Sequence, residues 1–178
     1  MVRTVLIALF FASPVLGQNS RVTAVVAAGC GPNEVHFQVK TDKKKHPTAE
    51  PDPGKALIYV IEDSAFDHVA IHTRTPPRRF GVDGEWVGAN GYRSYFHFPV
   101  EPGDHRLCAE IQSRIQGAVH SSLAATSFTA EAGKTYYFRT KTPNSESSSA
   151  ALQIVPVDPP EAQILLATAA FSTFHLMK

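Results

Sequence analysis

Hydrophobic and polar residues alternate in several short segments of the chain, which is the pattern of a strand with one buried face. The clearest case is the segment Glu34–Lys40, in which Val35, Phe37 and Val39 fall on one face. The segment Lys55–Glu62 is instead a continuous β-prone apolar run, typical of a central strand that is covered on both sides. These patterns predict short strands.

Glycine and proline mark turns between the predicted strands. Asp83-Gly84 is a hairpin signal between two short strand-like segments, and Pro102-Gly103 suits a tight turn. Because His97 and His105 flank the second turn, we expect them to face each other on paired strands. Further strands are predicted at Tyr95–Val100, His105–Ile111, Leu123–Phe128, Thr135–Thr140 and Ala151–Pro156. The predicted fold is all-β, an antiparallel β-sandwich of seven to nine strands with at most one short C-terminal helix.

The end of the chain has a helix-starting pattern. Asp158 is a candidate cap, Pro159 and Pro160 fit the first turn, and Glu161 would lie near the positive helix end. We therefore expect residues 158–178 to form a short helix and an apolar tail that packs on the domain. Contact of this tail with another chain or a membrane is a second reading that the pattern leaves open.

The N-terminal segment resembles a secretory signal peptide. Arg3 supplies a positive start, Val5–Phe11 is apolar, and Gly17 offers a small residue before a cleavage site. The apolar run is too short to cross a bilayer as a helix. The predicted organisation is a signal peptide over 1–17, a leader or edge strand over 18–33, and a β-sandwich domain over 34–157.

Two cysteines, Cys30 and Cys108, remain after the predicted cleavage. In an exported chain an even count favours a disulfide, so we expect these two to be joined. Two alternatives stay open at this point. The residues before Cys30 faintly resemble a lipoprotein motif, which would anchor the protein through lipid on Cys30, and the thiols could also be free and buried.

Length and composition fit one domain, or at most two very small ones, and restrict the classes of partner. The chain has 178 residues, 43% of them hydrophobic, and a formal net charge of +1. This length and apolar fraction are enough for a single domain with a core. The near-neutral charge offers no field that would attract nucleic acid.

The middle and C-terminal parts of the chain resemble the bacterial family of unknown function numbered 2846. The resemblance spans about residues 53 to 157 and rests on an ordered set of motifs: Pro53–Val60, Val82–Gly88, Tyr95-Phe96, Val100–His105 and Glu131–Arg139. The segments around Cys30 and Cys108 look like an exported soil-bacterial subgroup of that family. The resemblance implies a secreted or envelope β-sandwich, immunoglobulin-like in layout, with no established catalytic residues or cofactor.

Catalytic and metal-binding motifs are not evident in the sequence. No nucleophile or zinc-protease motif is present, and the histidines give no ligand spacing beyond pairs such as His68 and His72. We therefore predict no metal and no cofactor. Acidic residues that could pair for hydrolysis lie in predicted turns, where they ordinarily serve turn geometry: Asp83, Glu85, Glu101 and Asp104.

Aromatic and histidine side chains near the predicted hairpin are the best candidates for a binding surface. The candidates are Trp86, Tyr92, His97 and His105. The sequence favours a secreted or periplasmic, non-catalytic β-sandwich that binds an envelope component or a protein partner. The alternative is a small secreted hydrolase that acts on a glycan or a peptide.

Overall fold

The structure, a computed structural model, describes residues 30–63, 76–115, 118–141 and 152–177. The predicted signal peptide, most of the predicted leader, and His68 and His72 lie outside these residues. Within them the chain is mostly β and forms two sheets and a helix, α1 (Pro159–Thr168). The strands are β1 (Phe37–Asp42), β2 (Ala56–Glu62), β3 (Arg78–Val82), β4 (Glu85–Asn90), β5 (Ser94–Val100), β6 (Gly103–Ile115), β7 (Ala118–Ala130), β8 (Thr135–Lys141), β9 (Gln153–Val157) and β10 (Ala170–Leu176).

The two sheets differ in size and in strand direction. The larger sheet has the order β1-β10-β5-β2-β8-β9, and the smaller sheet has the order β4-β3-β6-β7. Every pair in the smaller sheet is antiparallel. In the larger sheet β10 runs parallel to β5, and β8 runs parallel to β2. The larger sheet is therefore mixed.

The main core lies between the two sheets. The larger sheet contributes Ile58, Val60, Phe96 and Phe138, and the smaller sheet contributes alternate residues such as Phe80 and Leu107. β2 is buried along its whole length, because its other face is covered as well. This confirms the reading of the Lys55–Glu62 segment as a central strand.

The opposite face of the larger sheet is covered by α1. Tyr59 and Tyr95 from the sheet pack with Leu165 and Leu166 of the helix in a second apolar cluster. Asp158 caps the helix by accepting a hydrogen bond from the Glu161 N–H at 2.8 Å. The cap and the N-terminal prolines confirm the predicted short helix.

The β3–β4 hairpin has the predicted turn. Asp83 and Gly84 have φ values of 52° and 90°, as the hairpin turn with two positive-φ residues requires. Asp tolerates this region because its short side chain can hydrogen-bond locally, and Gly because it lacks a Cβ.

Two features of the predicted fold were wrong. The described residues form ten strands with two parallel pairings, rather than an antiparallel sandwich of seven to nine strands. His97 and His105 do not lie on paired strands, because β5 and β6 belong to different sheets and the Pro102-Gly103 turn connects them. Alternation in a sequence marks which face of a strand is buried, but it does not specify which neighbour the strand will pair with.

The expected apolar tail is part of a sheet. Its residues Ala170–Leu176 form β10, which lies between β1 and β5. Ala170 and Ser172 are buried, and Phe174 packs against the main core. Within the described part of the chain, no helix has the length and apolar character needed to cross a membrane.

Candidate functional site

The segment Cys30–His36, here called the strap, lies against the smaller sheet without joining it. The Cys30–Cys108 disulfide fastens its first residue to β6, with the two Cα atoms 5.6 Å apart. The Trp86 indole N–H donates to the Pro32 carbonyl at 2.7 Å. The disulfide expected from the sequence is therefore present.

Two glycines allow the strap to approach the sheet. A Cβ on Gly81 would lie 2.1 Å from the Cys30 carbonyl oxygen, and a Cβ on Gly31 would lie 2.6 Å from the Trp86 ring. Gly31 also has a φ of 136°, a conformation that favours glycine. A side chain at either position would prevent the strap from packing against the smaller sheet.

Arg79 connects the strap to the sheet electrostatically. Its guanidinium donates to the main-chain carbonyls of Asn33, at 3.3 Å, and Val35, and forms an ion pair with Glu110 of β6. The same guanidinium lies 4.3 Å from the centre of the Trp86 ring. Planar, multiply donating arginine suits such a combination of carbonyl, carboxylate and aromatic partners. Its charge is neutralised and its position is fixed.

A second buried ion pair lies between the sheets. Arg78 of β3 pairs with Glu62 at the end of β2, and both side chains are almost completely buried. Burial lowers the pKa of Arg78 to about 10, so the guanidinium stays charged at neutral pH. Glu62 also accepts a hydrogen bond from the Arg93 N–H, and Asn90 donates to the Val60 carbonyl at 2.9 Å. Arg78, Glu62 and Asn90 therefore have a structural role, because their contacts link neighbouring strands.

A pocket opens where the strap passes into β1. Its volume is about 180 Å³, and its lining is mostly apolar: His36, Phe37, Pro76, Pro77, Arg79 and Met177. Drug-sized ligand sites are larger, about 300–1,000 Å³. The pocket therefore has room for one apolar side chain or one ring. Leu176 and Met177, at 59% and 53% exposure, add apolar surface at the end of β10.

The four sequence-predicted binding residues do not converge. Trp86 holds the strap, as described above. Tyr92 lies in the β4–β5 connection with its hydroxyl buried. His97 lies on the helix-covered side of the larger sheet, with its ring 5.0 Å from Tyr59 and 5.8 Å from Phe171, and burial lowers its pKa. Trp86 and His97 thus belong to different sheets.

His105 is held at the hairpin end of the smaller sheet. Its ring nitrogens lie 2.6 Å from a carboxylate oxygen of Asp83 and 2.7 Å from the Glu101 carbonyl oxygen. The hydrogen bond with Asp83 raises the pKa of His105, against a lowering by burial. For Asp83, burial acts to raise the pKa, but hydrogen bonds from the Arg106 N–H and His105 outweigh it and the pKa is lowered. Both ring nitrogens of His105 face acceptor oxygens, so hydrogen bonding favours the protonated imidazolium, which can donate to both.

Three of the four acids considered for hydrolysis have structural partners in the turns. Glu101 forms an ion pair with Lys55 at 2.9 Å, and Asp104 accepts from the Thr129 hydroxyl at 2.6 Å. Asp83 is bound to His105 and Arg106, and Glu85 is exposed. Among the described residues, no group of three or more His, Cys, Asp or Glu side chains could hold a metal ion.

Sequence reasoning missed the residues that build the pocket and fasten the strap. Arg79, Glu110 and His36 were not candidates, although the pattern contains a signal for two of them. Arg79 directly precedes an apolar residue of β3, and Glu110 shares the Cys108 face of β6. Charged residues inside otherwise apolar strands point to buried pairing, because an unpaired buried charge is costly.

The fold and site define a class: a two-sheet β protein in which a disulfide fastens the Cys30–His36 segment across one sheet. No family model matches the chain, and neither a curated protein nor a solved structure matches it. The resemblance to family 2846 therefore stays a prediction.

Proposed function

We propose that the protein is a secreted or periplasmic, non-catalytic β-sandwich that binds a protein partner or a peptide part of the envelope. The bound group is an apolar side chain that enters the pocket between the strap and the end of β10. The observation that carries this proposal is the pocket itself, apolar in Phe37, Pro76, Pro77 and Met177 and about 180 Å³ in volume.

The surroundings of the pocket support binding rather than catalysis. Its charged lining residue, Arg79, has an ion-pair partner in Glu110 and carbonyl partners in the strap. Acid–base catalysis ordinarily combines several positioned groups, and His36 is the one side chain of the proton-transferring type among the described residues that line the pocket. A guanidinium fixed by structural partners serves to hold a pocket wall in place.

The disulfide supports the proposed location. Disulfides persist in oxidising compartments outside the cytosol. The Cys30–Cys108 bond is almost fully buried, with exposures of 1% and 0% for the two residues. Together with the signal-like N-terminus, this favours export and argues against anchoring through lipid on Cys30.

The test is a titration of the oxidised protein with N-acetyl-leucine amide and N-acetyl-phenylalanine amide, with N-acetyl-serine amide as the polar control. Ligand-observed NMR should show weak, saturable binding of the two apolar probes and none of the serine probe. The probes should be recovered chemically intact. Hydrolysis of a probe amide would favour the hydrolase alternative.

Two exposed apolar residues provide matched variants. Met177→Glu places a carboxylate at the pocket and should abolish binding of the apolar probes, because burying that charge is unfavourable. Ile164→Glu places the same charge on the exposed face of α1, where Ile164 is 69% exposed, and should leave binding unchanged. Equal binding by both variants would contradict the assignment of this pocket.

A further inference from the structure

We propose that oxidation of Cys30 and Cys108 completes the pocket, so that the protein gains its binding capacity only in an oxidising compartment. This inference rests on the proposed function, because it concerns the regulation of the same pocket. It goes further by assigning the disulfide a role in forming the site as well as in stability.

The strap has few other attachments to the smaller sheet. Its carbonyls accept from Trp86 and Arg79, while the side chains of Pro32, Asn33 and Glu34 are exposed. A few hydrogen bonds exchange for bonds with water on release, and ordering the strap costs conformational entropy. The covalent bond to Cys108 therefore decides whether the strap stays seated.

The pocket depends on the strap at two points. The strap ends at His36 and leads directly into Phe37, and both residues line the pocket. Arg79, another lining residue, donates to the strap carbonyls of Asn33 and Val35. If the strap leaves, Arg79 loses these acceptors, and His36 is held through the bond from the Met177 N–H to its carbonyl at 2.9 Å but no longer from the strap side. The pocket wall then loses its shape.

The chemistry needs an oxidant, for which we name a protein disulfide or oxidised glutathione. One cysteine thiolate attacks the oxidant disulfide, forms a mixed disulfide and releases one oxidant thiolate. The second cysteine thiolate then attacks the mixed disulfide, which closes Cys30–Cys108 and releases the second oxidant thiolate. Two protein thiols are oxidised, and the two electrons and two protons pass to the oxidant.

The reverse reaction is hindered in the folded protein. Cys30 and Cys108 are 1% and 0% exposed, so a reducing thiolate cannot reach either sulfur while the strap is seated. Exposed disulfides are the ones that are readily reduced. The geometry therefore suits a step that occurs once, during maturation.

Trp86 and Met177 report on the strap and on the pocket, respectively. Trp86 is the one tryptophan of the chain, and its indole contacts the strap. Met177 lines the pocket, and Met1 is the other methionine of the chain. Tryptophan emission thus reports strap seating, and the ¹³C-methyl signal of Met177, assigned with Met177→Leu, reports the pocket.

The experiment compares the full oxidised chain with Cys30→Ser and Cys108→Ser. We expect both variants to keep the far-ultraviolet circular dichroism of the oxidised protein, to show red-shifted Trp86 emission, and to move the Met177 methyl signal. Binding of N-acetyl-leucine amide should weaken at least tenfold. Asp158→Ala, which removes the cap of α1 away from the strap, is the control for general destabilisation and should leave Trp86 emission unchanged.

Three outcomes would overturn the proposal: unchanged Trp86 emission in both cysteine variants, an unchanged Met177 signal despite release of the strap, or global unfolding of both variants, since the expected effect is local. Failure of the proposed function looks different. In that case the oxidised protein does not bind the apolar probes, while the Trp86 and Met177 signals still respond to loss of the disulfide.

Discussion

The indole N–H of Trp86 donates to the carbonyl of Pro32 across 2.7 Å, which ties the strap to β4. The guanidinium of Arg79 lies over the same indole ring, 4.3 Å from its centre. Trp86 therefore holds the strap directly and also contacts the arginine that binds the strap carbonyls. Because it is the chain's one tryptophan, its fluorescence reports this region alone.

Gly81→Ala should displace the strap. The new methyl group would lie 2.1 Å from the Cys30 carbonyl oxygen, so either the strap or β3 must shift. Overpacking of this kind typically costs about 1–3 kcal/mol of unfolding free energy. Urea unfolding measures the loss, and a red shift of Trp86 emission should accompany it. In the control variant Gly54→Ala the added Cβ meets nothing within 4 Å, so emission should not change even though the φ of +80° is strained.

Glu62→Gln should strongly destabilise the fold. It leaves the buried Arg78 guanidinium without its carboxylate, and breaking a buried pair in this way costs about 3–5 kcal/mol. Equilibrium urea unfolding gives the value. The double variant Glu62→Leu with Arg78→Met removes both charges and should recover much of the loss. Exposed ion pairs contribute less than about 1 kcal/mol. A decrease in unfolding free energy of that size for Glu62→Gln would contradict a buried Arg78–Glu62 ion pair.

The Asp83–His105 pair should make stability depend on pH near neutrality. Because the pKa of folded His105 is raised above 6.5, the folded state binds a proton more tightly than the unfolded state. The contribution is fully present below about pH 6.5 and is lost as the pH rises through the raised pKa. The Asp83 carboxylate is 49% exposed, so we expect less than about 1 kcal/mol.

The measurement is the difference in urea midpoint between the parent protein and His105→Gln across this pH range. The difference should shrink as the pH rises. Asp83→Asn should remove the same pH dependence while tolerating the positive φ of 52° at that position. A difference that grows with pH would contradict the assigned direction.

Asp158→Ala should weaken the start of α1, at the junction between β9 and the helix. The Asp158 side chain accepts from the Glu161 N–H at 2.8 Å, and loss of such a cap costs about 1 kcal/mol. Hydrogen exchange should increase at the start of α1. Asn is an equally good cap, so Asp158→Asn should restore slow exchange, and failure of that rescue would argue against a capping role.

Local features of the fold could be predicted from the sequence. The β2 run, the Asp83-Gly84 hairpin and the capped helix follow from apolar continuity, positive-φ residues and cap chemistry, which all act within a few residues. The disulfide was expected from cysteine count. The pairing of the strands could not be predicted from the sequence, because the parallel neighbours β2 and β8 are separated by five other strands along the chain.

The candidate site likewise depends on contacts between distant segments that the sequence does not reveal. The sequence singled out Trp86 as a surface aromatic, but it contains no sign that a strap would pass over the ring or that Arg79 would lie on it. Phe37 and Met177 come from opposite ends of the described chain and reach one pocket because β1 and β10 pair.

By itself the sequence determined the strand-rich class, the turns and the helix, because each depends on neighbouring residues. The tertiary structure alone decided the sheet order, the place of β10 inside a sheet, the two buried ion pairs and the pocket. These require contacts between distant segments, and a pattern of apolar residues specifies that a face must be buried without specifying what buries it.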